Sequence, residues 1–254
     1  MALLELKNVS HIYHSGQGET EALRDISFSI EREEFVAIVG PSGCGKSTIL
    51  SLLAGLLKQS SGSILLDGEP IEEKSRATSL MPQRDQLFEW RNIRNNVLLG
   101  PEIMHNKTPE VISYANSLLQ KYGLIDFAKK KPSELSGGMR QRASLIRTLV
   151  TSPELLLLDE PFSALDFQTR INVCDDVSRI IKEEKRTAIL VTHDINEAIS
   201  MADKVIILSK RPAHVKRIVN IALDKSLPPI KRREQKSFPI YFKMIWKELE
   251  EHYE

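Results

Sequence analysis

The nine residues GPSGCGKST, Gly40 to Thr48, constrain this chain more than any other stretch. They match G-x-x-x-x-G-K-[ST] in full, and the flanks are those the motif requires. EFVAIV, Glu34 to Val39, reads as a short buried strand, and STILSLLAGLL reads as a helix. Glycines here let successive backbone N–H groups turn inward around phosphate oxygens, and the following helix adds its positive end. Gly40, Pro41, Ser42, Gly43, Cys44, Gly45, Lys46, Ser47 and Thr48 are therefore candidate nucleotide-binding residues. Lys46 would reach the β- and γ-phosphates, and Ser47 is a candidate Mg²⁺ ligand. Cys44 reads as a small space-filling residue rather than a redox group.

The rest of the chain supplies a sheet for that loop to leave. ELLLLDE (Glu154 to Glu160), TAILVTH (Thr187 to His193) and KVIILS (Lys204 to Ser209) are too short for helices and aliphatic enough for strands buried on both faces. Helical periods fill the gaps, notably after Gly137 and from Gln168 to Lys185, which predicts an α/β fold with a mostly parallel sheet flanked by helices. The alternating runs LLELKNVSHIY and ALRDISFSI predict an N-terminal antiparallel β subdomain, and the helical stretch from about Gly100 to Pro132 reads as an insert.

Two units are expected: residues 1–225, with a helical insert about 84–150, and residues 226–254, a basic linker (PPIKRREQK) and an amphipathic helix. On that helix Phe238, Phe242, Ile245, Trp246, Leu249 and Tyr253 fall on one face. The face can pack on its own domain or a twin, or serve a membrane-surface or regulatory role. The KRR run reads as solvated.

Charge and cysteine usage exclude other classes. Lys and Arg number 35 against 34 Asp and Glu, so no global field draws the chain to nucleic acid or an anionic membrane. Cys44 and Cys174 lack any metal or disulfide spacing, and a reducing cytosol is the default. No signal-peptide pattern opens the chain, and no apolar run approaches the ~18 residues that span a bilayer. If the protein works at a membrane, another subunit must supply the spans.

A second nucleotide motif is LLLLDEP, Leu155 to Pro161, where an apolar strand delivers Asp159 to Mg²⁺ and sets Glu160 to polarise a water. A third is LSGGMRQR, Leu135 to Arg142, in which Ser136, Gly137 and Gly138 open a helix and make another anion cradle. Alone, each is a common cap or turn. Beside the P-loop they describe two cradles for one triphosphate.

At these residues the chain resembles the ATP-binding subunits of ABC transporters, from about Leu3 to Ser209. The ordered set is the P-loop, Gln83, LSGGMRQR, LLLLDEP, SALD (Ser163 to Asp166) and His193. A P-loop kinase would not explain LSGGMRQR. The resemblance implies a RecA-like P-loop NTPase fold and a head-to-tail homodimer or pseudo-dimer sandwiching two ATPs with Mg²⁺. It also implies roles: Glu160 as catalytic carboxylate, His193 as γ-phosphate contact, Gln83 as metal and water sensor, Lys46 on the phosphates, and Ser47, Gln83 and Asp159 around the metal. Tyr13 would stack on adenine, and Asp166 would link the two sites.

RDQLFEWRNIRNN follows Gln83 directly, where the resemblance places the groove for a membrane permease. Leu87, Phe88, Trp90 and Arg91 are the candidate contacts, since Trp and Arg are common interface anchors; packing of the insert on the core is the alternative. MPQRD, the Trp-Arg pair and RPAHVKRIV (Arg211 to Val219) resemble importers of nitrate, sulfonates, taurine or thiamine precursors. Such a subunit would sit peripherally on the cytoplasmic side of the membrane, with an extracytoplasmic solute-binding protein in the complex. An exporter or lipoprotein-release subunit, or a soluble ABC ATPase, stands as the alternative.

Overall fold

The computed structural model describes residues 2–16, 18–74 and 77–250. Two strands of alternating burial open the chain, β1 (Ala2–Ser15) and β2 (Gly18–Glu31), and pair antiparallel. With β4 (Ser61–Leu66) and β5 (Glu69–Pro70) they form a four-stranded antiparallel sheet in the order β2-β1-β4-β5. β4 lies outside the strands read from sequence, because SGSILL is half polar and takes its order from pairing with β1.

The second sheet holds the P-loop. Its order is β10-β9-β3-β8-β7-β6, built from β3 (Phe35–Val39), β6 (Thr78–Met81), β7 (Leu155–Asp159), β8 (Thr187–Val191), β9 (Lys204–Leu208) and β10 (Val215–Asn220). All neighbours are parallel except β9 and β10, so the sheet is mostly parallel with one antiparallel edge. Its strands bury both faces. Ala37, Leu156, Leu158, Leu190 and Ile207 join one core, and Ile38, Leu155, Leu157, Ile189 and Ile206 join the other, the period-two division expected of a covered sheet.

One face is covered by α1 (Lys46–Leu53) and the antiparallel sheet. The other is covered by the remaining helices: α2 (Ile93–Val97), α3 (Leu99–Ile103), α4 (Pro109–Lys121), α5 (Gly137–Leu149), α6 (Phe167–Glu183), α7 (Ile195–Met201), α8 (Pro229–Arg232) and α9 (Phe238–Glu250). A cluster in which Lys121, Tyr114 and Tyr122 meet Glu184 ties α4 to the end of α6, at 2.8 Å from Lys121 Nζ and Tyr122 Oη and 3.1 Å from Tyr114 Oη.

The C-terminal stretch departs from expectation. The KRR run is solvated only in part: Lys231 is exposed, but Arg232 is buried and donates to the carbonyls of Ser200 (3.2 Å), Met201 (3.4 Å), Asp224 (3.1 Å) and Leu227 (3.2 Å). Two of these end α7, whose last carbonyls lack intrahelical partners, and a guanidinium fork satisfies several acceptors at once. Burial pulls the Arg232 pKa down from its usual value. The apolar face of α9 also splits. Phe238 and Ile245 are buried, whereas Trp246 is 50% exposed on the flank. Tyr253, assigned to that face, lies outside the described residues.

Candidate functional site

Four segments of the site hang from the C-terminal ends of adjacent parallel strands. β3 runs into the P-loop, β8 towards His193, β7 into Asp159 and Glu160, and β6 towards Gln83. Ligands of open α/β sheets bind at this edge, where neighbouring crossovers leave in opposite directions. The chain's jump from β3 to its two neighbours, β8 and β9, makes that crevice.

Backbone geometry explains two P-loop glycines. Gly45 has φ 120°, and a Cβ there would stand 2.7 Å from Leu23 Cδ2. Gly43 has φ 70°. Both conformations turn amides inward at no steric cost only for glycine. The Lys46 ammonium donates to Gly40 O (2.9 Å) and Pro41 O (3.0 Å), so the loop's own carbonyls hold it. Cys44 is buried in the core, and burial raises its thiol pKa, which keeps it protonated; only its backbone is available to a ligand.

Glu160 is the hub of the acidic end. Its Oε2 lies 3.1 Å from His193 Nδ1 and accepts from Gln83 Nε2 at 3.4 Å. Gln83 Nε2 also donates to Ser163 Oγ at 3.2 Å. Glu160 has φ 43°, a left-handed conformation that costs a non-glycine residue ~1–3 kcal/mol. Its N–H holds that turn by donating to Val191 O at 2.9 Å. Asp159, one residue earlier, has its pKa raised by burial and by Glu160, against an opposing pull from Lys46.

Those two carboxylates are the observation that fits a cation. Among the described residues no three His, Cys, Asp or Glu side chains could hold a metal by themselves. A Mg²⁺ here would need the Ser47 hydroxyl, the Gln83 amide and phosphate oxygens beside Asp159, the hard-oxygen set such an ion prefers.

A cavity of about 680 Å³ joins Gly40, Pro41, Ser42, Lys46, Glu160 and His193. Trp246, Leu249 and Glu250 of α9 complete its wall. Sequence reasoning missed these three, because nothing in a helix sequence tells which loop the helix will stand beside.

Other predicted residues stand apart from that cavity. Ser136 caps α5, its Oγ accepting from Met139 N at 3.3 Å. Gly137 and Gly138 are glycines for packing as well: a Cβ on Gly138 would meet Val173 Cγ2 at 3.0 Å, and one on Gly137 would meet Leu165 Cδ2 at 3.2 Å. Asp166 caps α6 through Thr169 N at 3.0 Å, a bond that lowers its pKa. Tyr13 is 40% exposed, packs edge-on against His11 and reaches Thr48 Oγ1 at 3.1 Å, which places its hydroxyl beside the first turn of α1.

The segment after Gln83 divides in two. Leu87 is 6% exposed and belongs to the core, so it leaves the docking set: an aliphatic side chain at this point seals the insert against the sheet. Arg91 is half-buried and bridges Glu102 at 2.9 and 3.1 Å. Phe88 and Trp90 stack at 4.6 Å with planes 16° apart, and Trp90 is 73% exposed. Two residues not singled out in advance hold this loop. Asn96 is fully buried, accepts from Phe88 N at 2.7 Å and donates to Phe88 O at 3.1 Å. Arg140 donates to Asp85 Oδ2 at 3.0 Å, linking the LSGGMRQR helix to the loop.

Comparison with known proteins agrees with this geometry. The sequence profile of the ABC transporter family matches residues 23–163. The ABC transporter ATP-binding protein YtlC of Bacillus subtilis is 47% identical over 98% of this chain and 96% of its own length. The nitrate import ATP-binding protein NrtD of Synechocystis is 36% identical over 94% of this chain and 91% of its own. Among solved structures, the dimeric post-hydrolysis state of the ATP-binding cassette MJ0796, bound to ADP and Pi, superposes with a TM-score of 0.72 at 31% identity, covering 86% of this chain and 98% of that one. The chain therefore belongs to the ABC transporter family, as one of its ATP-binding, ATP-hydrolysing subunits.

Proposed function

We propose that this subunit forms a homodimer on the cytoplasmic face of a membrane and powers import of a small anion through a separate permease. Nitrate, the cargo in the name of the Synechocystis relative, and the sulfonates are the class of solute favoured, delivered by an extracytoplasmic binding protein. Lys46 and the P-loop amides hold the triphosphate; Ser136, Gly137 and Gly138 of a second copy close over it; Tyr13 stacks on the adenine. Asp166 joins the two sites across the pair.

The observation that carries the reading is the convergence of Glu160, His193 and Gln83 beside Lys46. Glu160 takes the proton of the attacking water while His193 orients the carboxylate and meets the γ-phosphate. Mg²⁺, held by Ser47, Asp159 and Gln83, would neutralise phosphate charge. Among the described residues no helix is long and apolar enough to cross a membrane, which agrees with a permease on a separate chain.

Glu160→Gln tests the assignment. The variant is expected to bind ATP, to accumulate as a dimer in sedimentation velocity, and to lose activity by at least ~100-fold, the scale of a general base. Turnover within a few-fold of the parent would remove Glu160 from the role.

A further inference from the structure

The phosphate cavity has one wall that no nucleotide motif foretells. α9 places Trp246, Leu249 and Glu250 beside Pro41, Ser42 and His193. The helix is fastened in place: Ile245 is fully buried, Glu248 meets Lys216 at 3.3 Å and Arg217 at 2.9 Å, and Tyr241 Oη accepts from Ala222 N at 3.0 Å. That anchorage leaves the outer flank to Trp246, which stacks on Phe242 with ring centres 6.0 Å apart and planes 13° apart. A half-exposed indole thus lines the cavity that also holds Lys46, Glu160 and His193.

The cavity is incomplete within one chain. None of Ser136, Gly137 and Gly138 lines it, so a phosphate there can meet that second anion cradle only on another copy. A copy closing over the cavity would come against Trp246. It also carries a large exposed apolar group close to its own link residue: Phe167, 72% exposed, follows Asp166 directly.

We propose that Trp246, braced by Phe242, is a contact for a second copy of this chain and seals the phosphate end of the cavity when two copies close over ATP. The inference rests on the dimer reading above and adds to it a seam outside the nucleotide motifs. A Trp at the centre of a desolvated contact is a characteristic binding anchor. Because α9 is already fixed, docking onto it orders little additional chain. The covered indole also keeps bulk water from the γ-phosphate side, leaving the positioned water to react.

The test uses the full chain carrying Glu160→Gln, with and without Trp246→Ala. Sedimentation velocity with Mg-ATP gives dimer affinity, and a fluorescent ATP analogue at dilute protein gives monomer affinity. The expected result is a loss of dimer affinity of roughly tenfold or more, as for truncation of an interface anchor, with monomer ATP affinity within about twofold. An unchanged dimer overturns the inference. A tighter dimer also overturns it, and would make α9 a plug. Equal losses of ATP affinity and dimer affinity overturn it in favour of a direct nucleotide contact.

A second readout does not depend on the variant's folding. In Trp90→Phe with Glu160→Gln, the remaining Trp246 emission should shift to the blue when Mg-ATP drives dimerisation; dimerisation without that shift sinks the proposal. If the Glu160→Gln parent stays monomeric with ATP, the dimer reading itself fails and this contact falls with it.

Discussion

Asp159 illustrates a residue held against its own stability. Burial and the neighbouring Glu160 raise its pKa above the ordinary carboxylate value of 3.8, so its charged form is disfavoured in the fold. The sign follows from linkage. The protonated form contributes stability that is fully present below the unfolded pKa and is lost as pH rises through the raised folded value. At neutral pH the free protein therefore carries a penalty that a bound cation would relieve. Asp159→Asn is expected to raise the Tm of the nucleotide-free protein by roughly 1–4 °C while removing Mg²⁺-dependent hydrolysis. Scanning calorimetry and a phosphate-release assay check both halves, and a lowered Tm would show that Asp159 is stabilised by contacts beyond its charge. Residue identities at such positions were legible without structure, since Lys46, Asp159 and Glu160 stand in local motifs whose geometry is short-range. Glu160's left-handed turn was not, because it depends on Val191, across the sheet.

Elements were read as well as their hydrophobic period allowed. β3, β7, β8 and β9 lie where the aliphatic runs predicted, and α6 within a residue or two of its expected bounds. β6 was missed, since TSLM is too short to signal itself, yet it is the strand that delivers Gln83. The loop after it depends on one buried side chain. Asn96 satisfies both backbone groups of Phe88 and donates to Arg91 O (3.2 Å) and Asn92 O (3.1 Å). Asn96→Ala should destabilise the fold by about 1–3 kcal/mol, because the Phe88 N–H loses its acceptor, whereas Phe88 O and Asn92 O keep backbone donors in Arg91 N and Asn96 N. Denaturant unfolding measures this, and a cost below about 0.5 kcal/mol would mean that water replaces the amide. Nothing in RNIRNN distinguished Asn96 from Asn92 or Asn95: burial, not composition, selects it.

At the scale of the whole molecule, two exposed tryptophans mark two faces. Trp90 stands on the loop that the Asp85–Arg140 bond joins to the LSGGMRQR helix, so a change at Gln83 has a short mechanical route to both. Trp90→Ala is expected to leave ATP hydrolysis of the isolated subunit intact and to weaken co-purification with a permease by roughly tenfold, as for loss of an interface anchor. Undiminished co-purification would confine the Phe88–Trp90 stack to packing. Trp246 marks the other face, at the nucleotide cavity.

The sequence by itself determined the local chemistry: a phosphate loop, an acidic pair at the end of a buried strand, and the alternating runs that require a covered parallel sheet. These are local, because catalysis on a phosphate needs particular atoms within one turn of backbone and strands bury alternate residues. Only the tertiary structure decided which side chains left over from that local logic face the site. Arg232 ends a helix instead of meeting solvent, Leu87 joins the core instead of a partner, and Trp246 reaches the P-loop across some 200 residues of chain. Such placements depend on long-range packing, in which a side chain's role follows from the element it meets and not from its neighbours in sequence.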